Sequence, residues 1–270
     1  MPDEHTLRVM TWNVWWRFGE QWRDRQVGIA ATLAAHQPDI VGLQESWTTR
    51  ESSQAEVLAA PLGQYSVVGG PSLPDLPAEP ESPDHDGVGL GVAVLSRWPV
   101  RHTWTHPLPS SRPERPVALV AAVEHPRGLL YVVCTCVEHH AHLAGDHLAQ
   151  TRELARLATD LGARDGDLPV VLVGDLNAGP DSQEVRALTA ELTDAWDAGG
   201  GAGDGVTLSS AVPFAPRGAV KQLDRRIDYV LVGPAATGKR PKITQAYLVD
   251  DTVNGLHPSD HYAVVADIAL

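Results

Sequence analysis

Several polar residues of this chain stand beside short apolar runs, and their types suit one kind of chemistry. Asn13 follows Val9-Met10-Thr11-Trp12, and Glu45 follows Ile40-Val41-Gly42-Leu43-Gln44. Asp175 and Asn177 follow Val170-Val171-Leu172-Val173-Gly174. Asp228 instead precedes Tyr229-Val230-Leu231-Val232, and Asp260-His261 precede Tyr262-Ala263-Val264-Val265. The first set lies at C-terminal ends of expected strands, the second at N-terminal ends. In a mixed sheet these ends share one rim where neighbours run antiparallel, so all of them can converge on one cleft. Glu45 can anchor a hard divalent cation, with Asn13, Asp175, Asn177 and Asp260 nearby and water completing the octahedron. Mg²⁺ or Mn²⁺ suits such oxygen-rich surroundings. His261, oriented by Asp228, can take a proton from water or from a metal-linked hydroxyl. The carboxamides of Asn13 and Asn177 can donate to phosphoryl oxygens without adding charge. Together these groups can run an in-line attack on phosphorus.

The elements that must position them alternate between strands and helices. Leu7–Trp12, Asp39–Gln44, Tyr65–Gly69, Leu90–Leu95 and Val117–Glu124 read as strands, as do Leu129–Cys136, Pro169–Gly174, Ile227–Val232, Ile243–Val249 and Tyr262–Ala269. Gln21–Gln37 has helical spacing of Val27, Ala30, Ala31 and Ala34 and ends at Pro38. Ser52–Ala60 reads as a serine-capped helix stopped by Pro61, and His147–Leu161 as a helix with Leu154, Leu157, Ala158 and Leu161 at core spacing. Asp181–Leu192 opens with the capping-box spacing of Asp181 and Glu184. Pro71–Asp86, with five prolines and several acids, reads as a mobile loop, and glycine-rich Gly199–Gly205 as a flexible turn. The last strand spends the C-terminus on core. Residues 1–270 therefore read as a single domain, an α/β layered sandwich.

The chain has 270 residues, 21 basic against 34 acidic, for a net charge of −13. Its 43% hydrophobic content excludes bulk disorder. No apolar run approaches the roughly 20 residues that cross a bilayer. The acidic start, Met1-Pro2-Asp3-Glu4-His5, lacks the pattern of a secretory signal. Cys134 and Cys136 share one face of an expected strand, too far apart for a good bridge. A reducing cytoplasm, no membrane and a monomeric chain are the expectations. The negative balance argues against a high-affinity nucleic-acid coat protein, because such affinity comes from Lys and Arg neutralising phosphates. Charge is uneven, however. Asp75–Asp86 holds five acids and no base, whereas Arg217, Lys221, Arg225, Arg226, Lys239, Arg240 and Lys242 face only Asp224 and Asp228. That stretch reads either as a basic rim that attracts phosphate or as ordinary solvated surface.

Thr11-Trp12-Asn13, Leu43-Gln44-Glu45, Gly174-Asp175-Leu176-Asn177 and Ser259-Asp260-His261-Tyr262 resemble the sequence signatures of the endonuclease/exonuclease/phosphatase superfamily. Gly91–Val100 resembles that family's strand ending in "ILSRYPI", and Arg226-Ile227-Asp228-Tyr229-Val230 its "RIDYI" segment. The order matches from residue 7 to residue 269. The resemblance implies a DNase I-like four-layer sandwich, two mixed β-sheets flanked by helices. It also implies a metal-dependent phosphoesterase, in a family that spans nucleases, lipid phosphodiesterases and inositol phosphatases. Glu45 would be the metal ligand, completed by Asn13 and Asp260. His261 would be the catalytic histidine paired with Asp228, and Asp175 and Asn177 would position nucleophile and phosphate. The expected substrate is a phosphate ester, nucleic acid among the candidates, although a small soluble diester or monoester fits the acidity better.

One position departs from the family. Many relatives carry Thr-His-Leu where this chain has Thr135-Cys136-Val137, and a thiol donates poorly to a phosphoryl oxygen. Either His140 or His139 compensates from the next turn, His140 being the favoured one, or the substrate needs no second imidazole. A second reading takes His140, His142, Asp146 and His147 as a zinc-hydrolase cluster, but four residues separate His142 from His147 where that motif needs one. A third reading is a catalytically lapsed binding module of the same fold. Trp15 and Trp16 follow Asn13 closely enough to line the cleft.

Overall fold

The computed structural model describes residues 5–70, 80–113, 115–163, 168–215, 223–235, 238 and 240–270. In chain order the first elements are β1 (Thr6–Asn13), α1 (Trp22–His36), β2 (Ile40–Thr48), α2 (Gln54–Leu62), β3 (Tyr65–Val68) and β4 (Gly89–Ser96). There follow β5 (Val100–Pro107), β6 (Val117–His125), β7 (Gly128–Cys136), α3 (Ala144–Gly162) and β8 (Val171–Asp175). The chain closes with α4 (Gln183–Thr189), β9 (Thr193–Asp194), α5 (Ala195–Ala198), β10 (Asp228–Val232), β11 (Lys242–Val249) and β12 (Ala263–Ala269). Among the described residues, no helix is long and apolar enough to cross a membrane.

The strands form two six-stranded sheets, ordered β11-β12-β1-β2-β4-β3 and β5-β6-β7-β8-β10-β9. Each is mixed. β1 runs parallel to β2 and antiparallel to β12, while β7 runs parallel to β8, which is antiparallel to β10. The two-residue periodicity of the strands sorts side chains between faces. Val9, Val94, Val132, Val173, Val230 and Val264 meet in the core between the sheets. Met10, Leu43 and Val265 turn outward onto Ile29 and Leu33 of α1 and Leu58 of α2. Val133, Leu172 and Leu231 pack under Leu154 and Leu161 of α3 and Val185 of α4. This is the expected four-layer α/β sandwich.

The same alternation aims the site. Asn13 shares parity with Val9, Asp175 with Val171 and Val173, and Asp228 with Val230 and Val232, all inner-face residues. Each polar residue therefore continues the inner face to its rim. Cys134 and Cys136 are reduced, buried and on this inner face.

Several local expectations are corrected. β5 escapes a reading by hydrophobicity because it is an edge strand with Arg101, His102 and Thr103 exposed. α1 ends at His36, and its capping residue Gln37, just before Pro38, takes a left-handed conformation (φ 46°). Pro61 does not stop α2; it sits in the last turn, and Gly63 (φ 64°) ends the helix. Ser53 caps α2 through a full capping box with Glu56. The cap of α4 is Ser182, whose hydroxyl accepts from the Val185 N–H, while Asp181 lies outside in an exposed pair with Arg186. Of the Pro71–Asp86 loop, residues 71–79 lie outside the described residues. The part that follows contains a 3-10 turn, Pro83–His85, tied down by Arg23 at 2.6 Å from Asp84.

The sheets approach closely at Gly42. A Cβ there would stand 2.2 Å from Cγ2 of Val173 and 3.2 Å from Sγ of Cys134. We expect Gly42→Ala to destabilise by about 1–3 kcal/mol, the usual cost of overpacking. Val173→Ala in the same chain should recover part of that loss, and a double-mutant cycle by denaturant titration measures the coupling. Strictly additive losses would refute the contact.

Candidate active site

The strand ends bring Asn13, Glu45, Asp175, Asn177, Asp228 and His261 together. The Asn13 amide nitrogen donates to Glu45 Oε1 at 3.0 Å and to Asp175 Oδ2 at 3.1 Å. Asp175 Oδ1 accepts from the Asn177 backbone N–H at 2.9 Å, and the Asn177 side chain donates to the Val137 carbonyl at 3.0 Å. Asp228 lies opposite Asp175 in the β10–β8 register. His261 Nδ1 is 2.8 Å from Asp228 Oδ2, with both side chains buried. One ligand atom from each of Asp175, Asp228 and His261 lies within 4.8 Å of the others. Glu45 joins them through Asn13.

Glu45 reaches this group by a distortion. β2 does not stop at Gln44 as expected but continues to Thr48, with a register shift against β4 between Leu43 and Ser46. Val41 and Leu43 face the helices, and plain alternation would send Glu45 the same way. The bulge, with Glu45 at φ 52°, turns the side chain to Asn13 instead. A left-handed non-glycine residue costs of order 1–3 kcal/mol and persists where its surroundings over-determine it. Asn177 is also left-handed (φ 48°), a conformation asparagine tolerates.

The other loop is set by Ser259. Its hydroxyl donates to the Asn13 carbonyl at 2.6 Å and accepts from the His261 N–H at 3.2 Å. Trp12 Nε1 holds the His261 carbonyl at 2.9 Å. Thr207 Oγ1 accepts from the N–H groups of Ile227 and Asp228, which fixes the start of β10. Behind the site lies Arg25, 2% exposed, donating to the carbonyls of Val14, Trp15, Trp16, Phe18 and Pro258. Sequence reasoning missed Thr207 and Arg25. Neither lies in a motif, and only Ser259, within a quoted signature, had a legible signal.

Electrostatically the site is a buried carboxylate cluster. Burial alone would lower the His261 pKa, but the charges of Asp228, Asp260 and Asp175 override it and push it up to about 10. Burial, then repulsion from Asp228, raises the Asp175 carboxyl above its ordinary range. Burial lowers the Arg25 guanidinium to about 10 against the pull of Asp260 and Glu45, so it stays cationic at neutral pH.

His140 does not join this group. Glu138 accepts from its Nδ1 at 2.7 Å and from its backbone N–H at 2.8 Å, and Arg112 lies 3.0 Å from the same carboxylate. The Cys136 thiol meets the Asn177 amide at 4.0 Å. The zinc set is not assembled either. His147 Nε2 is 2.8 Å from the Leu176 carbonyl, and Asp146 accepts from the Ser111 N–H and hydroxyl. Among the described residues, the metal-competent groups are Glu138–His139–His140 and Asp175–Asp228–His261, neither of which contains that set. Arg226 is buried against Asp194 at 2.7 Å, and Arg217, Lys221 and Lys239 lie outside the described residues.

Comparison with known proteins gives one family. The model of the Endonuclease/Exonuclease/phosphatase family matches residues 10–261. A search of curated proteins returns no match. Among solved structures, the fold is similar to truncated Caenorhabditis elegans TDP2, with TM-score 0.76, 16% identity and 98% of each chain covered. It is similar to D. rerio TDP2 complexed with single-strand DNA product, with TM-score 0.74, 18% identity, and 98% of this chain and 99% of that one covered. An endonuclease/exonuclease/phosphatase from Beutenbergia cavernae is 27% identical, with TM-score 0.71, covering 98% of this chain and 72% of that one.

Proposed function

The chain belongs to the endonuclease/exonuclease/phosphatase family, and from that premise and the geometry of the site we propose that it is a divalent-metal-dependent phosphoesterase that hydrolyses a phosphodiester. The observation that carries this reading is the buried Asp228–His261 pair beside Asp175, with Glu45 one amide away. A TDP2 of the same fold is complexed with a single-strand DNA product, which supports a nuclease-like substrate.

The donor set fits a hard cation. Asp175, Asp228 and Asp260 bear on one imidazole, Glu45 is linked to Asp175 through the Asn13 amide, and among the described residues the buried Oδ1 of Asp228 has no hydrogen-bond partner. Glu45 would hold Mg²⁺ or Mn²⁺, with Asn13 and Asp260 beside it. When bound, the ion would neutralise phosphoryl charge and offset the carboxylate field on His261. The chain's own residues do the rest. Asp228 fixes the ring of His261 and stabilises its protonated form, so that the imidazole can take the proton of the attacking water. Asp175 orients that water. Asn177, locked by the turn on Asp175, would offer its side chain to the phosphate. His140, steered by Glu138, would supply a second imidazole at the rim.

We expect hydrolysis of bis(4-nitrophenyl) phosphate by protein freed of metal to be negligible in EDTA and restored by Mg²⁺ or Mn²⁺. Glu45→Ala should raise the metal concentration needed for half-maximal rate by at least tenfold. Metal-independent turnover, or a Glu45→Ala variant indistinguishable from wild type, would overturn the reading. A lapsed binding module would show no turnover with any metal.

A further inference from the structure

The segment that follows β7 is fastened to the site at both of its ends. The Val137 N–H donates to the Asp175 carbonyl at 3.1 Å, and the Val137 carbonyl accepts from the Asn177 amide at 3.0 Å. Farther along, His147 Nε2 donates to the Leu176 carbonyl at 2.8 Å. Residues 138–146 therefore leave from and return to the Asp175–Asn177 turn. His140 can lie no more than about 11 Å from Val137, because three extended residues reach no farther.

Within this segment one buried carboxylate gathers side chains from two loops. Glu138 is 4% exposed. Its Oε1 accepts from the N–H groups of His139 and His140 at 2.9 and 2.8 Å and lies 2.7 Å from His140 Nδ1. Its Oε2 lies 3.0 Å from Nη2 of Arg112, which stands on the loop between β5 and β6. That Nη2 is also 3.1 Å from His140 Nδ1, so guanidinium and imidazole sit side by side. The carboxylate is out of water, whereas the side chains of Arg112 and His140 are 21% and 30% exposed. Burial pushes the Glu138 carboxyl up, but the bonds from His140 and His139 and the charge of Arg112 bring it below its ordinary range. It is therefore ionised at neutral pH and holds both groups. Asp146 also bears on Arg112, yet its carboxylate is engaged by the Ser111 N–H and hydroxyl, both at 2.7 Å.

Glu138, His139 and His140 are close enough together to chelate a cation. Arg112 already sets a positive charge against that carboxylate, so the face turned to solvent suits an anion better. We propose that Arg112, with His140 beside it and Glu138 as the brace of both, binds a second phosphate of the substrate next to the one that reacts. The assignment rests on the phosphodiesterase reading for the reacting phosphate, which belongs to the carboxylate and histidine group. An offset of up to about 11 Å spans one to three nucleotide steps at about 3.4 Å each. In a chain of net charge −13 a fixed cation at this rim also gives a polyanion a place to dock. Arg112 is thus a binding residue for substrates with more than one phosphate, and Glu138 a positioning residue.

Four thymidine substrates test it with Mg²⁺ present: TpT with one phosphate, TpTpT with two linkages, and pTpT and TpTp with a terminal phosphate. We expect Arg112→Met to cut the preference for a second phosphate, measured as kcat/KM relative to TpT, by about 10- to 150-fold, the range of one charge-assisted hydrogen bond. Glu138→Gln should lower the same preference through KM rather than kcat. Loss confined to TpTpT assigns the contact to a neighbouring linkage, and loss confined to pTpT or TpTp to a terminal phosphate. Binding of oligo(dT) is followed separately by fluorescence anisotropy in EDTA at several salt concentrations. Arg112→Met should reduce the slope of log K against log[salt] by about 0.7, the share of one phosphate contact on a single strand. Arg112→Lys, which keeps the charge and loses the fork, should keep the slope. With cleavage present, an unchanged preference in Arg112→Met overturns the second-phosphate contact and leaves the phosphodiesterase reading standing. With no diester cleaved, a reduced slope keeps the contact and overturns that reading, and an unchanged slope or no binding overturns both.

Discussion

His261→Ala is expected to lower kcat for phosphodiester hydrolysis by about 10²–10⁴-fold at saturating metal, the range typical of a lost general acid–base group. Asp228→Asn should fall in the same range, because the asparagine keeps the shape but not the charge that orients the ring at 2.8 Å. The double variant should lose little more than either single one, since residues that act as a unit are not additive. A separate signature accompanies this in the metal-free protein. The folded-state pKa of His261, about 10, lies above its ordinary 6.5, held there against burial by Asp228, Asp260 and Asp175. A raised pKa contributes stability that is fully present below pH 6.5 and is lost as pH rises through about 10. Melting temperature of wild type should therefore decline across that window, and His261→Gln should flatten the decline. Full activity in either single variant would remove the pair from the mechanism.

Arg25→Met should be the most damaging substitution away from the reacting groups. It removes hydrogen bonds to five carbonyls, from Nη1 to Val14 and Pro258 and from Nη2 to Trp15, Trp16 and Phe18. Those carbonyls sit in the loop after β1 and in the loop before His261. The replacement strands buried acceptors and also removes the cation facing Asp260 and Glu45. A loss of about 3–5 kcal/mol follows, as for other broken buried charge networks. That corresponds to a melting temperature lower by roughly 6–20 °C for a chain of this size. Arg25→Lys should fall between the two, because an ammonium offers three donors where the guanidinium fork offers five. A melting temperature within 2 °C of wild type in Arg25→Met would show that the carbonyls find other partners.

The legibility of the site divides along physical lines. Asn13, Asp175 and Asp228 were readable because each continues a strand whose apolar partners alternate strictly. The two-residue period that buries Val9, Val173 and Val230 aims these side chains too. Glu45 was recognised from its neighbours, but its direction was not. Alternation from Val41 and Leu43 points it at the helices, and only pairing with β4 creates the bulge that turns it back. The position of His140 close after Cys136 is legible in the chain, but its direction is set by Glu138, which holds it by side chain and backbone together. The zinc set is not assembled, since His147 and Asp146 are engaged by Leu176 and Ser111, groups distant in the chain.

Local rules thus suffice for what is periodic. Hydrophobic alternation specified most strands, the order of polar residues at their ends specified the family, and the inner and outer faces followed from parity. Contacts between distant segments set the rest. The closeness of the sheets at Gly42 depends on Val173, the loop after Asn13 on Arg25, and the seating of the Trp15 indole on Phe214, some 200 residues away. Such features are invisible in the chain because a buried cation, a bulge or a stacked ring is stable only when its partner arrives. The free energy that holds it belongs to the pair and not to either residue.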